Sequence, residues 1–176
     1  MILVILGAMN GSNASVPPKA DPEVERLIAR GDLGALAELV LNGEGQRLVG
    51  RRSEMPELQS FIDNVPTYMA KIQSVHDSAR SGQLRELQAA LDRRKFAVAR
   101  DPRTPAGATP LHAAVLLGQT AVVRYLAGRF PETLAARDAR GRAPLHCAAA
   151  LPDNGHYFNL LLNLGADRTL KDNVSN

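Results

Sequence analysis

Aromatic side chains are scarce in this chain of 176 residues: they make up 4% of the sequence, and tryptophan is absent. The core must therefore be filled by leucine, valine and alanine, which suits closely stacked, alanine-rich helices. The length allows one domain with a core of its own, or two small ones.

Cysteine is nearly absent as well. Cys147 is the single one, which excludes an internal disulfide and predicts a reducing compartment, so we expect the cytoplasm or the nucleus. The opening MILVIL is apolar for only six residues and has no basic flank, so it is too short for a membrane span and a poor secretory signal. We interpret residues 1–20 as a leader or tail outside the fold.

Neither sign of charge dominates, because 21 basic residues stand against 18 acidic ones and the formal net charge is +3. Of the basic residues, 17 are arginine, whose rigid guanidinium fork suits carboxylates and phosphates. Acidic partners are thus a mild expectation, and binding to nucleic acid does not follow.

What the chain does contain is an internal repeat. Thr109-Pro-Leu-His112-Ala-Ala reappears 34 residues later as Ala143-Pro-Leu-His146-Cys-Ala. Each copy leads into a short helix of small residues, a glycine-bearing turn, a second helix, and a loop with an aspartate, Asp138 or Asp172. The pattern predicts two successive helix-turn-helix units.

Two further units precede these. His76 is followed after six residues by Gly82, as His112 is by Gly118, and Asp101 stands where Asp138 stands in the next unit. A fainter unit begins at Asp21-Pro22, a good helix start with a capping side chain and a proline in the first turn. The turn glycines Gly31, Gly82 and Gly118 are predicted to end helices.

The Thr109-Pro-Leu-His112 step, the Gly118 turn, Val122-Val123 and Gly165-Ala-Asp167 resemble the ankyrin repeat. The resemblance implies an all-α, ankyrin-like helix-turn-helix solenoid of about four units, the first two irregular. Its repeat domain would cover residues 21–176. We place the units at about residues 21–50, 67–100, 101–137 and 138–172, with an inserted short helix or loop at about 51–66.

The repeated histidines are joints by this resemblance: with the preceding threonine, each would hydrogen-bond backbone across its turn and between neighbouring repeats. Ala143 replaces the threonine before His146, so one hydrogen bond should be lost there. Cys147 and His146 are adjacent on one helix and point about 100° apart, so they do not form a nucleophile pair. Histidines one repeat apart cannot share a zinc ion at ligand distances of about 2 Å. We therefore predict no catalytic residue, no metal and no cofactor, and a protein that is not an enzyme.

The densest basic runs are Arg93-Arg94-Lys95 and Arg51-Arg52. We interpret them as a solvated helix end and loop, since cations are favourable near a helix C-terminus. No aromatic residues interleave with them, so a platform for stacking bases is not expected.

A binding surface remains. The first-helix positions beside the turn glycine include Leu116, Leu117 and Leu151, and the nearby arginines are Arg80, Arg103, Arg140 and Arg142. An apolar strip with an arginine rim is typical of an interface, although neighbouring helices could instead partly cover Leu116 and Leu117. These seven residues are the predicted partner-binding set.

The predicted function is a non-enzymatic protein–protein interaction module, a scaffold, adaptor or masking domain. The resemblance implies that it binds through its concave face and finger loops, and we expect the partner to be another protein that carries an acidic and apolar segment. Two alternatives stay open: an arginine-driven binder of acidic tails, anionic lipid or nucleic acid, or the targeting domain of a larger enzyme. Because a solenoid needs polar caps and a next finger would begin at Lys171, we expect the natural protein to continue beyond residue 176.

Overall fold

The computed structural model describes residues 17–173, so MILVIL and most of the predicted leader lie outside the described residues. Within this range there are eight α-helices and no β-strand, and the predicted all-α fold is confirmed. The helices are α1 (Pro22–Arg30), α2 (Leu33–Leu41), α3 (Pro56–Ser81), α4 (Leu84–Ala90), α5 (Pro110–Leu116), α6 (Thr120–Arg129), α7 (Pro144–Ala149) and α8 (His156–Asn163). Three 3-10 helices cover Gly45–Leu48, Arg94–Val98 and Pro131–Leu134.

The helices pack as four successive pairs: α1 with α2, α3 with α4, α5 with α6, and α7 with α8. The first helices of the last three pairs also stack on one another, α3 on α5 and α5 on α7. This arrangement confirms a helix-turn-helix solenoid of four units.

The first unit begins where the sequence predicts. The Asp21 carboxylate accepts a hydrogen bond from the Val24 N–H (3.2 Å), and Pro22 occupies the first turn. The helix ends at Gly31, whose φ of 69° is the left-handed conformation that glycine adopts without cost. Arg47 holds the capping carboxylate from the far end of the unit, with Nε 2.7 Å from the Asp21 carboxylate.

The segment predicted as an inserted short helix or loop belongs to a much longer element. Residues 56–66 form the N-terminal part of α3, which runs unbroken for 26 residues into the first helix of the second unit. Its buried residues recur at helical spacing along the whole length, as Leu58, Ile62, Val65, Ile72, Val75 and Ala79. This continuous apolar stripe explains why the helix passes through Pro66, which lies on the exposed side.

The core is one cluster that extends from α1 to α8. Among residues 17–173, only three of its buried members carry aromatic rings, namely Phe96, Phe130 and Tyr157, and the rest are leucine, isoleucine, valine and alanine. No helix among the described residues is both long and apolar enough to span a bilayer.

Gly82 shows how closely the units approach one another. It ends α3 with a φ of 74°, and a Cβ there would collide with the side chain of Gln119. The amide of Gln119 donates across the unit boundary to the Arg80 carbonyl (2.8 Å). The positive φ therefore favours glycine here, and a larger residue would also displace the Gln119 side chain from its bond across the boundary.

Candidate protein-interaction surface

His112 joins two units. Its Nδ1 accepts hydrogen bonds from the Thr109 N–H (3.3 Å) and the Thr109 hydroxyl (2.7 Å). An accepting Nδ1 leaves the ring proton on Nε2, which lies 2.8 Å from the Arg142 carbonyl of the next finger and donates to it. The ring is 1% exposed, and burial lowers its pKa, so it stays neutral at physiological pH.

His146 repeats this joint with one bond fewer. Its Nδ1 accepts from the Ala143 N–H (2.9 Å) and its Nε2 donates to the Leu170 carbonyl (2.8 Å). The hydroxyl that Thr109 supplies in the preceding unit has no counterpart at Ala143, as the sequence predicts. The joint role of these two histidines is therefore visible in their hydrogen bonds.

His76 occupies the same place in the second unit but does not make the joint. Both ring nitrogens are buried and have no hydrogen-bond partner within the described chain. Burial lowers its pKa to about 4, and the nearby Arg103 and Arg80 act in the same direction, while Asp101 opposes them. The Ala99 backbone lies near the ring and opposes the fall in pKa, but neither ring nitrogen forms a hydrogen bond of full geometry with it.

Each finger is organised around a buried aspartate. The Asp138 carboxylate accepts from the backbone N–H groups of Arg140 and Arg142 (both 2.9 Å) and from the Arg142 guanidinium. Burial raises its pKa, but the hydrogen bonds from Arg142 and Arg140 outweigh this, so the carboxyl remains ionised.

Asp101 is held in the same manner by Arg103, and additionally by Arg80 from the preceding helix (3.0 Å). Both aspartates are 1% exposed. In the sequence these aspartates stand out only as repeat markers, and the arginines two and four residues later are the one local sign of a buried ion pair.

Stacking brings Cys147 close to a histidine from another unit. Ligand atoms of His112, Asp138 and Cys147 lie within 4.8 Å of one another, all in buried residues. The imidazole is already bonded to the Arg142 carbonyl and the carboxylate to the Arg142 side chain. Burial raises the pKa of the thiol, which opposes thiolate formation. The imidazole and the carboxylate therefore already have partners in the structural joint, and the buried thiol is not activated as a nucleophile.

Leu116 and Leu117 are exposed, at 49% and 56%, and are the two most exposed large apolar residues among those described. About half of each side chain is therefore accessible to a partner, and the rest is partly covered within the fold. Leu151, placed by sequence in the same strip, is half-buried and packs against the core. The apolar patch at this turn therefore centres on Leu116 and Leu117.

Three of the four predicted rim arginines are engaged within the chain. Arg80 pairs with Asp101, Arg103 with Asp101 and Asp77 (2.8 Å to the latter), and Arg142 with Asp138 (2.8 Å). Arg140 is exposed, and only its backbone N–H takes part in holding Asp138. Among the four, Arg140 is the one whose charge is available to a partner without loss of an internal ion pair.

The comparisons with known proteins agree with this geometry. Residues 75–172 match the sequence model of the ankyrin repeats, with three copies. The chain belongs to the ankyrin-repeat family. It is 36% identical over 94 residues to the mouse (Mus musculus) protein phosphatase 1 regulatory subunit 27, a match that covers 52% of this chain and 57% of that relative. The chain thus spans little more than half the length of the curated relative.

Proposed function

We propose that this protein is a non-enzymatic adaptor or scaffold that binds another protein through Leu116, Leu117 and the finger that carries Arg140. The observation that supports it most is the exposure of two consecutive leucines, at 49% and 56%, on an otherwise well-packed unit. Apolar pairs of this kind mark interaction sites when polar groups surround them. The mouse relative is named as a regulatory subunit, which supports an adaptor role.

The mode of action follows from rigidity. The turn at Leu116 and Leu117 is held on both sides. Before it, His112 of α5 bonds to the next finger; after it, Gln119 at the start of α6 bonds to the preceding unit. A partner that docks on Leu116 and Leu117 therefore meets a surface that needs little ordering, which reduces the entropic cost of association. Arg140 lies on the finger that contacts α5 through His112, so an acidic group of the partner that reaches this finger would pair with Arg140 and set the orientation.

The test uses affinity capture with paired variants. Leu116→Asp with Leu117→Asp should abolish capture of the partner, and Leu116→Gln with Leu117→Gln should weaken it without adding charge at the helix end. The matched control is Leu33→Asp with Met55→Asp, which removes the other two exposed large apolar side chains, at 41% and 44%. Equal capture by all variants would contradict the proposal. The protein phosphatase 1 catalytic subunit, suggested by the name of the relative, is the first purified partner to measure.

Salt dependence separates the arginine-driven alternative. For an apolar site, Arg140→Glu should mainly slow association and reduce its dependence on ionic strength. If binding instead collapses between low and moderate salt while the leucine variants bind normally, charge alone drives it, as expected for acidic tails, anionic lipid or nucleic acid.

A further inference from the structure

The basic run Arg93-Arg94-Lys95 is accompanied by aromatic rings that the local sequence does not show. The Arg93 guanidinium lies 4.7 Å from the centroid of the Tyr68 ring, and that of Arg94 lies 5.7 Å from the Phe130 ring. These rings come from α3 and from the end of α6, and folding brings them to the run. The interpretation as a merely solvated helix end is therefore incomplete.

Beside the run lies a groove of about 330 Å³, between α2, α3 and the 3-10 helix Arg94–Val98. Three rings line it in a row, with centroids 5.8 Å apart from Phe61 to Tyr68 and 6.2 Å apart from Tyr68 to Phe96. We call this the aromatic groove: Phe61, Tyr68 and Phe96 form its floor, and Arg93, Arg94 and Lys95 its rim. Its volume lies at the lower end of ligand pockets, about 300–1,000 Å³, which suits one or two side chains.

The rim carries a positive excess. Arg94 is bound in a fork by Glu132, with contacts of 2.5 and 2.7 Å, and nearby Asp92 pairs with Lys71. Arg93 and Lys95 form no ion pair with any residue from 17 to 173, and both are exposed. Arg93 is nevertheless held in place by the Tyr68 ring and hydroxyl (3.4 Å). Two cations thus stand unneutralised above an apolar floor.

We propose that the aromatic groove is a second docking site, separate from Leu116 and Leu117, which binds an acidic peptide segment of a partner protein through an apolar anchor side chain. The floor takes the anchor, and Arg93 and Lys95 take carboxylates on either side of it. Because the ring stacking already restrains Arg93, little side-chain freedom is lost when a carboxylate binds.

The surroundings of the groove favour a peptide over a nucleic acid or a membrane. Bases need free ring faces, but Phe96 is buried and Arg93 covers a face of Tyr68. Insertion into a bilayer needs protruding apolar side chains, and the exposed large apolar residues of the described chain all lie outside the groove. A recessed floor under fixed cations instead matches a chain segment with one apolar side chain among acidic ones.

The test uses the whole chain and a fluorescein-labelled hexapeptide with one phenylalanine among five acidic residues. Fluorescence anisotropy should show saturable binding to the parent. Arg93→Glu with Lys95→Glu should weaken it at least tenfold, whereas Arg85→Glu with Arg124→Glu, the same charge change on exposed arginines of α4 and α6, should change it less than twofold. Ala37→Phe, which fills the groove from α2, should weaken it at least tenfold, and Ala121→Phe on the exposed face of α6 should not.

Four results would overturn the proposal. The first is no saturable binding by the parent. The second is equal affinity of the rim variant and its charge control, and the third is equal binding of a hexapeptide with alanine in place of phenylalanine. The fourth is tighter binding, at the same groove, of a single-stranded oligonucleotide or of phosphatidylserine vesicles. Melting temperatures confirm that each variant folds, and Leu116→Asp with Leu117→Asp should leave the affinity for this peptide unchanged.

Discussion

In the third unit, His112 ties its own turn to the next finger with three hydrogen bonds, whereas in the second unit His76 is equally buried and has none among the described residues. The second unit nonetheless forms a helix pair that stacks on the third. The comparison teaches that the histidine joint contributes to the stack but does not create it. Burial of the apolar stripe of α3 and the ion pairs around Asp101 hold the irregular unit in place.

The first unit likewise packs without a histidine joint. It has no histidine, and Arg47 gathers Asp21, Glu23 and Glu44 at its open end. The hydrogen bond from Arg47 lowers the pKa of Asp21 to about 2. Arginine–carboxylate contacts thus occur in both kinds of unit; the regular units add backbone bonds through their histidines, and the second unit adds one long helix.

The largest expected effect concerns the element that both kinds of unit share, the buried aspartate. Asp138→Ala removes the acceptor of two backbone N–H groups and of Arg142. We expect a loss of about 2–4 kcal/mol in the free energy of unfolding. Chemical denaturation measures it, and Asp167→Ala, in an exposed loop where the carboxylate contacts only Thr169, is the matched control. Equal losses in both variants would show that the finger aspartate has no special role.

The next effect separates the two histidines. His112→Ala should lower the free energy of unfolding by about 1–3 kcal/mol, because it leaves the Arg142 carbonyl and the Thr109 groups without their partner. His76→Leu should be neutral or stabilising, since it replaces a buried imidazole with no hydrogen-bond partner by an apolar side chain. Denaturation of both variants checks the contrast, which fails if His76→Leu is as destabilising as His112→Ala.

The pH dependence of stability sharpens the same contrast. Burial lowers the pKa of His76 to about 4 in the folded chain, whereas it is about 6.5 in the unfolded chain. Below a pH of about 6.5 the unfolded chain binds a proton at this histidine that the folded chain does not bind. The free energy of unfolding should therefore fall as the pH is lowered, by at most about 1.4 kcal/mol per pH unit for this group. In His76→Leu, denaturation series at several pH values should give a smaller slope between pH of about 6.5 and 4. An unchanged slope would place the titration elsewhere.

The smallest effect tests the missing threonine. Thr109→Ala should cost about 0.5–1.5 kcal/mol, because the hydroxyl bond to His112 is lost while the N–H bond remains. Ala143→Thr should add a similar amount at His146, provided that its hydroxyl reaches Nδ1 as it does in the preceding unit. Thermal denaturation of the two variants should give shifts of opposite sign; shifts of the same sign would show that the two turns are not equivalent.

Much of the fold could be predicted from the sequence because each repeat contains local signals that start and end its helices. The Asp21 cap, the turn glycines and the Thr109-to-His112 step each have a local physical meaning, and each appears in the structure as expected. The continuity of α3 could not be predicted in this manner. Pro66 suggests a break, and only the burial of the stripe from Leu58 to Ala79 against other helices overrides it.

The surface was harder to predict. The exposure of Leu116 and Leu117 depends on what neighbouring helices cover, and the engagement of Arg103 and Arg142 depends on aspartates whose burial is set by stacking. The ring beside Arg93 belongs to Tyr68, which lies 25 residues earlier in the chain, and the ring beside Arg94 belongs to Phe130, which lies 36 residues later. Contacts of this kind are decided by tertiary packing, and no local pattern encodes them.

Hydrogen exchange of the chain, with and without the captured partner, tests directly whether a partner docks on Leu116, Leu117 and the finger that carries Arg140. We predict that binding slows amide exchange at residues 116–118 and in the finger at 139–142, and that Leu116→Asp with Leu117→Asp abolishes this protection. Protection that is absent from both of these segments, with the partner still bound, would contradict the claim.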